Sequence, residues 1–388
     1  MSDDALPWLP YGRPTVDEAD IETVVQVLRT PWLTTGPMIE AFEQAFARAA
    51  RAEHAIAVSS GTAALHAALH VLDLQPGDEV ILPTLTFAAT ANAVCYVGAT
   101  PVFADVEPGT LLLGPEQVAA RITPRTKAVI AVDYAGQPCD YAALRELCER
   151  HQLHLLSDAC HSLGGSYRGQ SVGTLADLNL FSLHPVKAIT SGEGGVITTE
   201  RADLAQRLRQ FRNHGISTDV RQREAQGTWY YEQVELGYNY RLSDIHAALG
   251  LSQLQKLSAW VKKRCELAAL YDSHLRELAE SHGVEPLAVR DDVGHAWHLY
   301  VVRLNAERSG LDRRQWFDTF RQARIGVQVH YLPVHWHPYY RQHFGTLHGQ
   351  CPIAEAAYEQ ILSLPLFPAM TAADVERVVE VFTKQLRR

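Results

Sequence analysis

Residues 175–197 read LADLNLFSLHPVKAITSGEGGVI, and the architecture of the whole chain can be worked out from them. An apolar run at residues 178–183 predicts a buried strand, and Lys187 follows it in a polar loop crowded with glycines. Upstream, a second apolar run ends at Asp158 in the sequence HLLSDACHS. Because the carboxyl ends of parallel strands lie at one edge of a sheet, we expect the Asp and the Lys to meet there.

A Lys after one strand and an Asp at the end of another are what pyridoxal phosphate (PLP) chemistry requires. The Lys amine can form an imine with the cofactor, and the Asp carboxylate can keep the pyridine nitrogen protonated. Two unrelated residues are the alternative interpretation, since strands that end in Asp are common in α/β proteins. The sequence thus predicts PLP as cofactor, with Lys187 and Asp158 as catalytic residues.

The order of apolar and amphipathic segments predicts the fold class. From residue 54 onward, short apolar runs alternate with helical patterns, which is typical of an α/β fold with a mostly parallel central sheet covered on both faces. After residue 251 the pattern changes, so we expect a large cofactor-binding domain (residues 1–250) and a smaller C-terminal α+β domain (residues 251–388). The elements expected there are one long helix at 252–283, strand-like segments at 296–304 and 326–335, and helices at 313–323 and 372–386.

Composition and charge exclude several classes of protein. The 388-residue chain has 47% hydrophobic residues and a net charge of −9, which argues against general nucleic-acid binding but allows an anionic substrate. Its first residues, MSDDALPWLPYGRP, lack the pattern of a signal peptide, and no apolar run approaches a membrane span. Six scattered Cys without a CxxC pair indicate reduced thiols, so we expect a cytoplasmic protein with neither membrane nor nucleic-acid partners.

The sequence SSGT, residues 59–62, joins an apolar run to a helix and has the features of a phosphate cradle. Free backbone N–H groups at the helix start point toward the ligand side of the sheet, hydroxyl groups add donors, and Gly permits close approach. We expect Ser60, Gly61 and Thr62 to contribute, with Ser182 placed to donate to the same phosphate. Any strand–Gly–helix turn looks similar, so the motif alone is weak evidence. The prediction rests on the expectation that this turn, Asp158 and Lys187 all lie at the same edge of the sheet.

Two ring side chains are candidates for contact with the cofactor. Phe87 could stack on a flat pyridine ring, although a core Phe at a helix start is the alternative. His161 could hold the Asp or face the ring, although a hydrogen-bonded core His is the alternative. The sequence alone leaves both alternatives open.

Two further segments are rich in polar and aromatic residues. LGYNYRLSD (residues 236–244) sets Asn and Arg between aromatics, which indicates either a contact or a helix cap through Ser243. VHYLPVHWHPYYRQHF (residues 329–344) could suggest a metal site through His335 and His337. Because no carboxylate or Cys stands at ligand spacing, we predict no metal there and interpret the segment as the wall of a polar pocket.

Taken together, these motifs resemble the sugar-nucleotide aminotransferases of the DegT/DnrJ/EryC1/StrS family, which have the PLP-dependent transferase fold type I. The likeness covers essentially the whole chain, and the motifs occur in the family's order: WLTTGP, SSGTAALHAAL, PGDEVILPTLTFAATANAV, DACHS, FSLHPVK, GEGG, RNHGI, LGYNYRLSDIHAALG and SLPLFP. FSLHPVK, RNHGI, WYYE and VHYLPVHWHPYY most resemble the branch that makes UDP-4-amino-4,6-dideoxy-N-acetyl-β-L-altrosamine, a step toward pseudaminic acid.

The resemblance implies a role for each matching residue. Lys187 would be the Schiff-base lysine and proton shuttle, and Asp158 would pair with the pyridine nitrogen. The implied cofactor contacts are a ring sandwich of Phe87 and His161, phosphate contacts from Gly61, Thr62 and Ser182, and Asn239 reaching the phosphate from the neighbouring subunit of a homodimer with shared active sites. The implied substrate contacts are His184, Arg241, His330 and Tyr331. Relatives with His in place of this Lys are dehydratases, so Lys at position 187 disfavours that activity.

The implied reaction transfers an amino group from L-glutamate to the ketone at carbon 4 of a UDP-linked 4-keto-6-deoxy sugar. Burial and nearby cationic groups should keep the Lys187 amine neutral enough to act as a base. Alternatives are the same chemistry on a dTDP- or GDP-linked sugar, a PLP lyase or decarboxylase, and a PLP-binding regulatory protein without turnover. Assays with a panel of keto sugars would distinguish the UDP, dTDP and GDP substrates. The family likeness disfavours a lyase or decarboxylase.

Overall fold

The computed structural model describes residues 7–218 and 220–387, and its elements alternate as the apolar pattern predicts. The strands are β1 (His54–Val58), β2 (Glu79–Pro83), β3 (Thr100–Ala104), β4 (Thr126–Val132), β5 (His154–Asp158), β6 (Ser166–Tyr167), β7 (Gln170–Ser171), β8 (Leu178–Ser182), β9 (Gly195–Thr199), β10 (Val284–Pro286), β11 (Val293–Gly294), β12 (Tyr300–Leu304) and β13 (Ile361–Leu364). The helices are α1 (Glu18–Leu28), α2 (Pro37–Ala50), α3 (Gly61–His70), α4 (Ala88–Tyr96), α5 (Pro115–Ala119), α6 (Tyr141–His151), α7 (Ala202–Phe211), α8 (Val220–Gln226), α9 (Asp244–Leu254), α10 (Leu257–His282), α11 (Ala306–Ser309), α12 (Arg313–Gln322), α13 (Pro338–Phe344), α14 (Pro352–Gln360) and α15 (Ala372–Leu386).

Seven of the described strands form the larger sheet, in the order β1-β9-β8-β5-β4-β2-β3. β9 runs antiparallel to both of its neighbours, and the pairs from β8 across to β3 are parallel. Residues 128–132 of β4 are buried without interruption, and successive side chains of a strand point to opposite faces, so both faces of the sheet are covered. The prediction of an α/β fold with a mostly parallel sheet is confirmed.

A second core lies beside a small antiparallel sheet with the order β10-β12-β13. Helices α10, α12 and α15 pack on it through large buried side chains such as Tyr271, Trp316 and Phe382. Leu9, near the start of the described chain, also belongs to this core and pairs with Ile325. The division at residue 250 stays a prediction, and that position falls inside α9.

The predicted single helix over residues 252–283 is wrong, because α9 ends at Leu254 and α10 begins at Leu257. Long-range bonds hold the break in place. The Gln253 amide donates to Asp20 Oδ2 at 2.7 Å, and Lys256 forms an ion pair with Asp20 at 2.8 Å. The amphipathic pattern continues across the break, so the periodicity alone does not reveal it.

The C-terminal strands were predicted less well than the helices. Helices α12 and α15 confirm the segments expected at 313–323 and 372–386. By contrast, β12 begins only at Tyr300, and the segment 326–335 makes one isolated bridge, from Gln328 to Ser363, instead of a strand. Among the described residues, no helix combines the length and the apolar character needed to cross a bilayer.

Candidate active site

Asp158 ends β5 at the carboxyl edge of the larger sheet and is only 6% exposed. Its Oδ2 accepts a hydrogen bond from the Thr90 hydroxyl at 2.8 Å, and its Oδ1 accepts from the Cys160 N–H at 3.3 Å. Because a hydroxyl has a single hydrogen, Thr90 must in turn accept from the Thr86 hydroxyl, 2.8 Å away. This chain of donors satisfies a buried carboxylate, which would otherwise be costly to desolvate.

Lys187 lies in the loop after β8, at the same edge as Asp158, and its backbone N–H donates to the His184 carbonyl at 2.9 Å. Burial lowers the pKa of its ammonium group from the usual 10.5, while Cys160 and Asp158 oppose that shift. The expected lowering is therefore present, but burial causes it and no cationic neighbour contributes among the described residues. A lysine with a lowered pKa is suited to take and return a proton.

The start of α3 forms a tight turn against β8 and β9. Ser60 caps the helix, with its Oγ accepting from the Ala63 N–H at 3.0 Å. A Cβ on Gly61 would lie 2.9 Å from Ser182 Cβ, and a Cβ on Gly195 would lie 2.3 Å from the Ser60 carbonyl oxygen. The helix start and the end of β8 can approach this closely only because both positions are Gly. Thr62 follows in the first turn of the same helix.

His161 stands on the turn after Asp158 and is buried. Its Nε2 forms a hydrogen bond with the Tyr331 hydroxyl at 3.1 Å, whereas its Nδ1 has no partner within the described residues. Burial, with contributions from Lys187 and His330, holds the pKa of the His161 imidazole well below its usual value. The ring is therefore neutral at physiological pH.

Phe87 is not a core residue: it stands at the start of α4 and is 62% exposed. Its ring centroid lies 6.1 Å from that of Tyr331, the side chain that also contacts His161. The structure thus brings Phe87, Tyr331 and His161 together, above the strand end that carries Asp158.

Of the predicted substrate contacts, two lie with this group. Tyr331 contacts His161, and the adjacent His330 forms a hydrogen bond to the Ser363 hydroxyl at 2.8 Å. Burial and Lys187 lower the pKa of His330 to about 4. His184 is exposed on the loop that leads to Lys187.

Arg241 and Asn239 lie on a separate segment that runs past the end of β1. Arg241 pairs with Val58 in an isolated bridge, and its Nη1 donates to Asn213 Oδ1 at 2.7 Å. Its Nε is buried without a partner in the described chain, and burial followed by Arg212 lowers its pKa. Asn239 pairs with Asn213 through the backbone and is exposed.

Of the two histidines considered for a metal site, His337 is half-buried at the start of α13, whereas His335 lies in the core. His335 is fully buried, with Nδ1 2.5 Å from the Thr84 hydroxyl and Nε2 3.0 Å from Glu355 Oε1. Both of its ring nitrogens are thus used to tie α14 to the loop after β2. Within residues 7–218 and 220–387, no three His, Cys, Asp or Glu side chains are grouped so as to hold a metal ion.

The sequence motifs do not identify several residues that the structure places at this edge. Thr90 and His298 carry no local signal, because the groups they contact are far away in the chain. Asp133 could have been found by the rule that identified Asp158, since it follows β4 directly. Its carboxylate accepts from Ser162 Oγ at 2.5 Å and from the Tyr141 hydroxyl at 2.7 Å.

The residues at the sheet edge fit PLP. A carboxylate held at a strand end suits a protonated pyridine nitrogen, and the amine of Lys187 suits the cofactor aldehyde. The first turn of a helix has N–H groups without intrahelical partners, so the start of α3 and the close approach at Gly61 suit a phosphate. Asp158 is held in position for this role, because each of its oxygens accepts a hydrogen bond.

Comparisons with known proteins agree with this geometry. The sequence profile of the DegT/DnrJ/EryC1/StrS aminotransferase family matches residues 14–383. SpsC of Bacillus subtilis, a spore coat polysaccharide biosynthesis protein, is 40% identical over 375 residues, 96% of each chain. Spr1654 of Streptococcus pneumoniae, solved in a PLP form and a PMP form, superposes with a TM-score of 0.90 at 30% identity, covering 98% of this chain and 99% of that one. Helicobacter pylori PseC, an aminotransferase involved in the biosynthesis of pseudoaminic acid, gives the same values.

Proposed function

The chain belongs to the DegT/DnrJ/EryC1/StrS aminotransferase family, and from that premise we propose its substrates and the roles of its residues. It is a PLP-dependent sugar aminotransferase. We infer that it moves an amino group from L-glutamate to carbon 4 of a UDP-4-keto-6-deoxy-N-acetylhexosamine. The product would be UDP-4-amino-4,6-dideoxy-N-acetyl-β-L-altrosamine, which leads to pseudaminic acid.

The meeting of Lys187 and Asp158 at one sheet edge carries the catalytic part of this proposal. When bound, PLP supplies an electron sink for the bonds at the carbon that bears the amino group. Lys187, with its lowered pKa, would take the proton from that carbon and return it to the cofactor carbon on the other side of the nitrogen. Asp158 would keep the pyridine nitrogen charged through its carboxylate, which the Thr90 hydroxyl and the Cys160 N–H hold in place.

The remaining roles follow from position. Ser60, Gly61, Thr62 and Ser182 would hold the phosphate at the start of α3. His161 and Phe87 would lie on opposite faces of the ring, and Tyr331 contacts both of these side chains. His184, His330, Tyr331 and Arg241 would contact the substrates.

A homodimer with shared sites is the second part of the proposal. Asn239 is exposed, and the same segment exposes a run of aromatic and aliphatic side chains: Trp229, Tyr230, Tyr231, Val234, Leu236 and Tyr238. Such a patch on one chain is typical of an interaction surface. We propose that a second copy covers it and that Asn239 then reaches the partner's phosphate site. Cytoplasmic location stays a prediction.

Likeness to PseC and the motifs FSLHPVK and VHYLPVHWHPYY support the choice of sugar. The test is a panel of 4-keto-6-deoxy sugars linked to UDP, dTDP or GDP, incubated with the protein, PLP and L-glutamate. We expect an amino sugar and 2-oxoglutarate in equal amounts, with kcat/KM highest for the UDP-linked N-acetyl sugar that gives the altrosamine product. A higher kcat/KM for a dTDP or GDP sugar would overturn the substrate, and PLP binding without turnover would indicate a regulatory protein.

A further inference from the structure

His298 is buried beside the candidate active site, although it comes from the second half of the chain, just before β12. Its ring centroid lies 4.3 Å from that of His161, with the planes tilted by 43°. The Nδ1 atoms of both rings are buried and have no hydrogen-bond partner in the described part of the chain. The two histidines therefore contact each other by ring packing. No hydrogen bond from Nδ1 to another described residue explains why His298 is buried here.

The backbone around His298 is held from the side of α10. Arg264 is 2% exposed, and its Nη1 donates to the carbonyls of Trp297 at 3.2 Å, His298 at 3.4 Å and Leu366 at 2.8 Å. Burial lowers the pKa of this guanidinium to about 10, which leaves it charged at neutral pH. A charged donor that spans three carbonyls fixes the strand entry from which His298 projects.

The other side of the same segment rests on the loop after β4. The Ala296 N–H donates to the Gly136 carbonyl at 2.9 Å, and the Leu299 N–H donates to the Ala135 carbonyl at 3.1 Å. Gly136 has φ +103°, and a Cβ there would lie 2.8 Å from His298 N and 2.9 Å from the His161 carbonyl oxygen. Only Gly lets these two histidine-bearing segments come so close.

Other contacts already fix most of His161. Tyr331 bonds its Nε2 at 3.1 Å, and the next residue, Ser162, donates to Asp133 at 2.5 Å. These bonds set the backbone and one ring nitrogen, but the ring can still rotate about the line to Tyr331. The His298 ring, with its centroid 4.3 Å away, packs more closely on His161 than the Tyr331 ring does at 6.2 Å, so it limits this rotation most.

We propose that His298 is a positioning residue, which packs on the His161 ring and fixes the plane in which His161 lies against the PLP ring. This inference rests on the proposed contact of His161 with the cofactor. Both imidazoles are neutral, because burial is the main cause that holds their pKa values well below the usual range. They can therefore pack together without charge repulsion.

The test is a double-mutant cycle read as the dissociation constant of PLP from the apoprotein, measured by absorbance titration. We expect His298→Ala to raise that constant about tenfold in the wild-type background, and to change it less than about twofold when His161→Ala is already present. A positioning role requires this loss of effect, whereas general destabilisation would act equally in both backgrounds.

His295 provides the matched control. It is 9% exposed on the same segment but stacks on Trp297, with ring centroids 3.9 Å apart. The His295 ring packs on Trp297 and not on His161. We therefore expect His295→Ala to leave PLP binding within about twofold in both backgrounds, because sites that share no contact are not coupled. His298→Phe keeps a ring in contact with His161, so the coupling should persist and PLP binding should stay within about threefold of wild type. This variant also tests the proposal if His298→Ala does not fold.

The inference is overturned if His298→Ala weakens PLP binding equally with and without His161, or if His295→Ala has the same effect. It also fails if His298→Phe binds as weakly as the Ala variant, or if His161→Ala alone leaves PLP binding unchanged. Because the readout is cofactor binding, a wild-type protein that binds PLP but rejects every keto sugar would contradict the proposed substrate and leave the role of His298 standing.

Discussion

The sheet edge at Asp158 and the segment at residues 229–241 are both expected to serve the cofactor, yet they differ in how completely one chain supplies their contacts. At the sheet edge, Asp158 is buried and has donors to both oxygens. On the segment, Trp229 is 85% exposed and the buried Nε of Arg241 lacks a partner among the described residues. One chain thus supplies donors to both oxygens of Asp158 but leaves aromatic side chains of the segment exposed.

The difference shows which part of the enzyme a single chain can explain. Both donors to Asp158 come from the same chain, so the fold itself fixes this carboxylate. The aromatic side chains of the segment are exposed in one chain, and the proposed second copy would bury them. Changes at the sheet edge should therefore affect chemistry within each subunit, and changes on the segment should act on the neighbour.

The largest effect is expected at Lys187. Lys187→Ala removes the amine that is proposed to hold the cofactor aldehyde and to move the proton, so turnover should be abolished. The wild-type protein should be yellow, borohydride should bleach its band, and peptide mapping should find the reduced cofactor on Lys187. Near-normal transamination by the variant, or a label on another lysine, would contradict the assignment.

Asp158→Asn should follow. It removes the charge that stabilises the protonated pyridine nitrogen, and we expect kcat to fall roughly a hundredfold or more, about 2.7 kcal/mol or above.

Asp177 offers a matched control for this substitution, because it precedes β8 at the opposite edge of the sheet and accepts from the Leu155 N–H at 3.1 Å. Asp177→Asn should lower stability with little change in kcat. If Asp158→Asn stays within about threefold of wild type, far below the loss expected from the charge, its role is wrong.

A smaller effect, on the pH dependence of stability, is expected at the contact between α3 and the aromatic segment. His66 on α3 is buried and forms a hydrogen bond to the Tyr240 hydroxyl at 3.0 Å, which ties the segment to the sheet. Burial, with a contribution from His70, lowers the pKa of His66 to about 4, below the usual 6.5. The unfolded state therefore binds this proton first, and stability is lost as pH falls from about 6.5 to about 4.

His66→Gln removes the imidazole, so this proton no longer contributes to the difference in proton binding between the unfolded and folded states. In that pH window the slope of the unfolding free energy against pH should fall by about 1.4 kcal/mol per pH unit, measured by urea unfolding. Above pH 7 the slopes of the two proteins should coincide. An unchanged slope at low pH would show that His66 is already protonated in the folded state.

The sheet edge could be predicted from the amino-acid sequence because its residues follow strands. Strand ends are visible as apolar runs, so the pattern alone places Asp158, Lys187 and the turn at Gly61 together. The contacts of His161 could not be predicted, since Tyr331 and His298 lie more than a hundred residues away in the chain. The break between α9 and α10 was missed for the same reason, because Asp20 holds it from the other end of the protein.

The shared site is tested most directly by complementation between two inactive parents. One parent carries Lys187→Ala. The other carries Asn239→Asp, which would place a carboxylate against the partner's phosphate and repel it. In a mixed dimer, one site would contain both substitutions and the other would contain neither.

Mixing the parents one to one and allowing subunits to exchange should therefore restore activity to about a quarter of the wild-type value, since half of the dimers are mixed and each has one intact site. Native mass spectrometry would confirm that mixed dimers have formed. If Asn239 instead serves its own subunit, both sites of the mixed dimer are damaged and no activity returns. Recovery to about a quarter supports a site built from two chains, and confirmed exchange without recovery contradicts it.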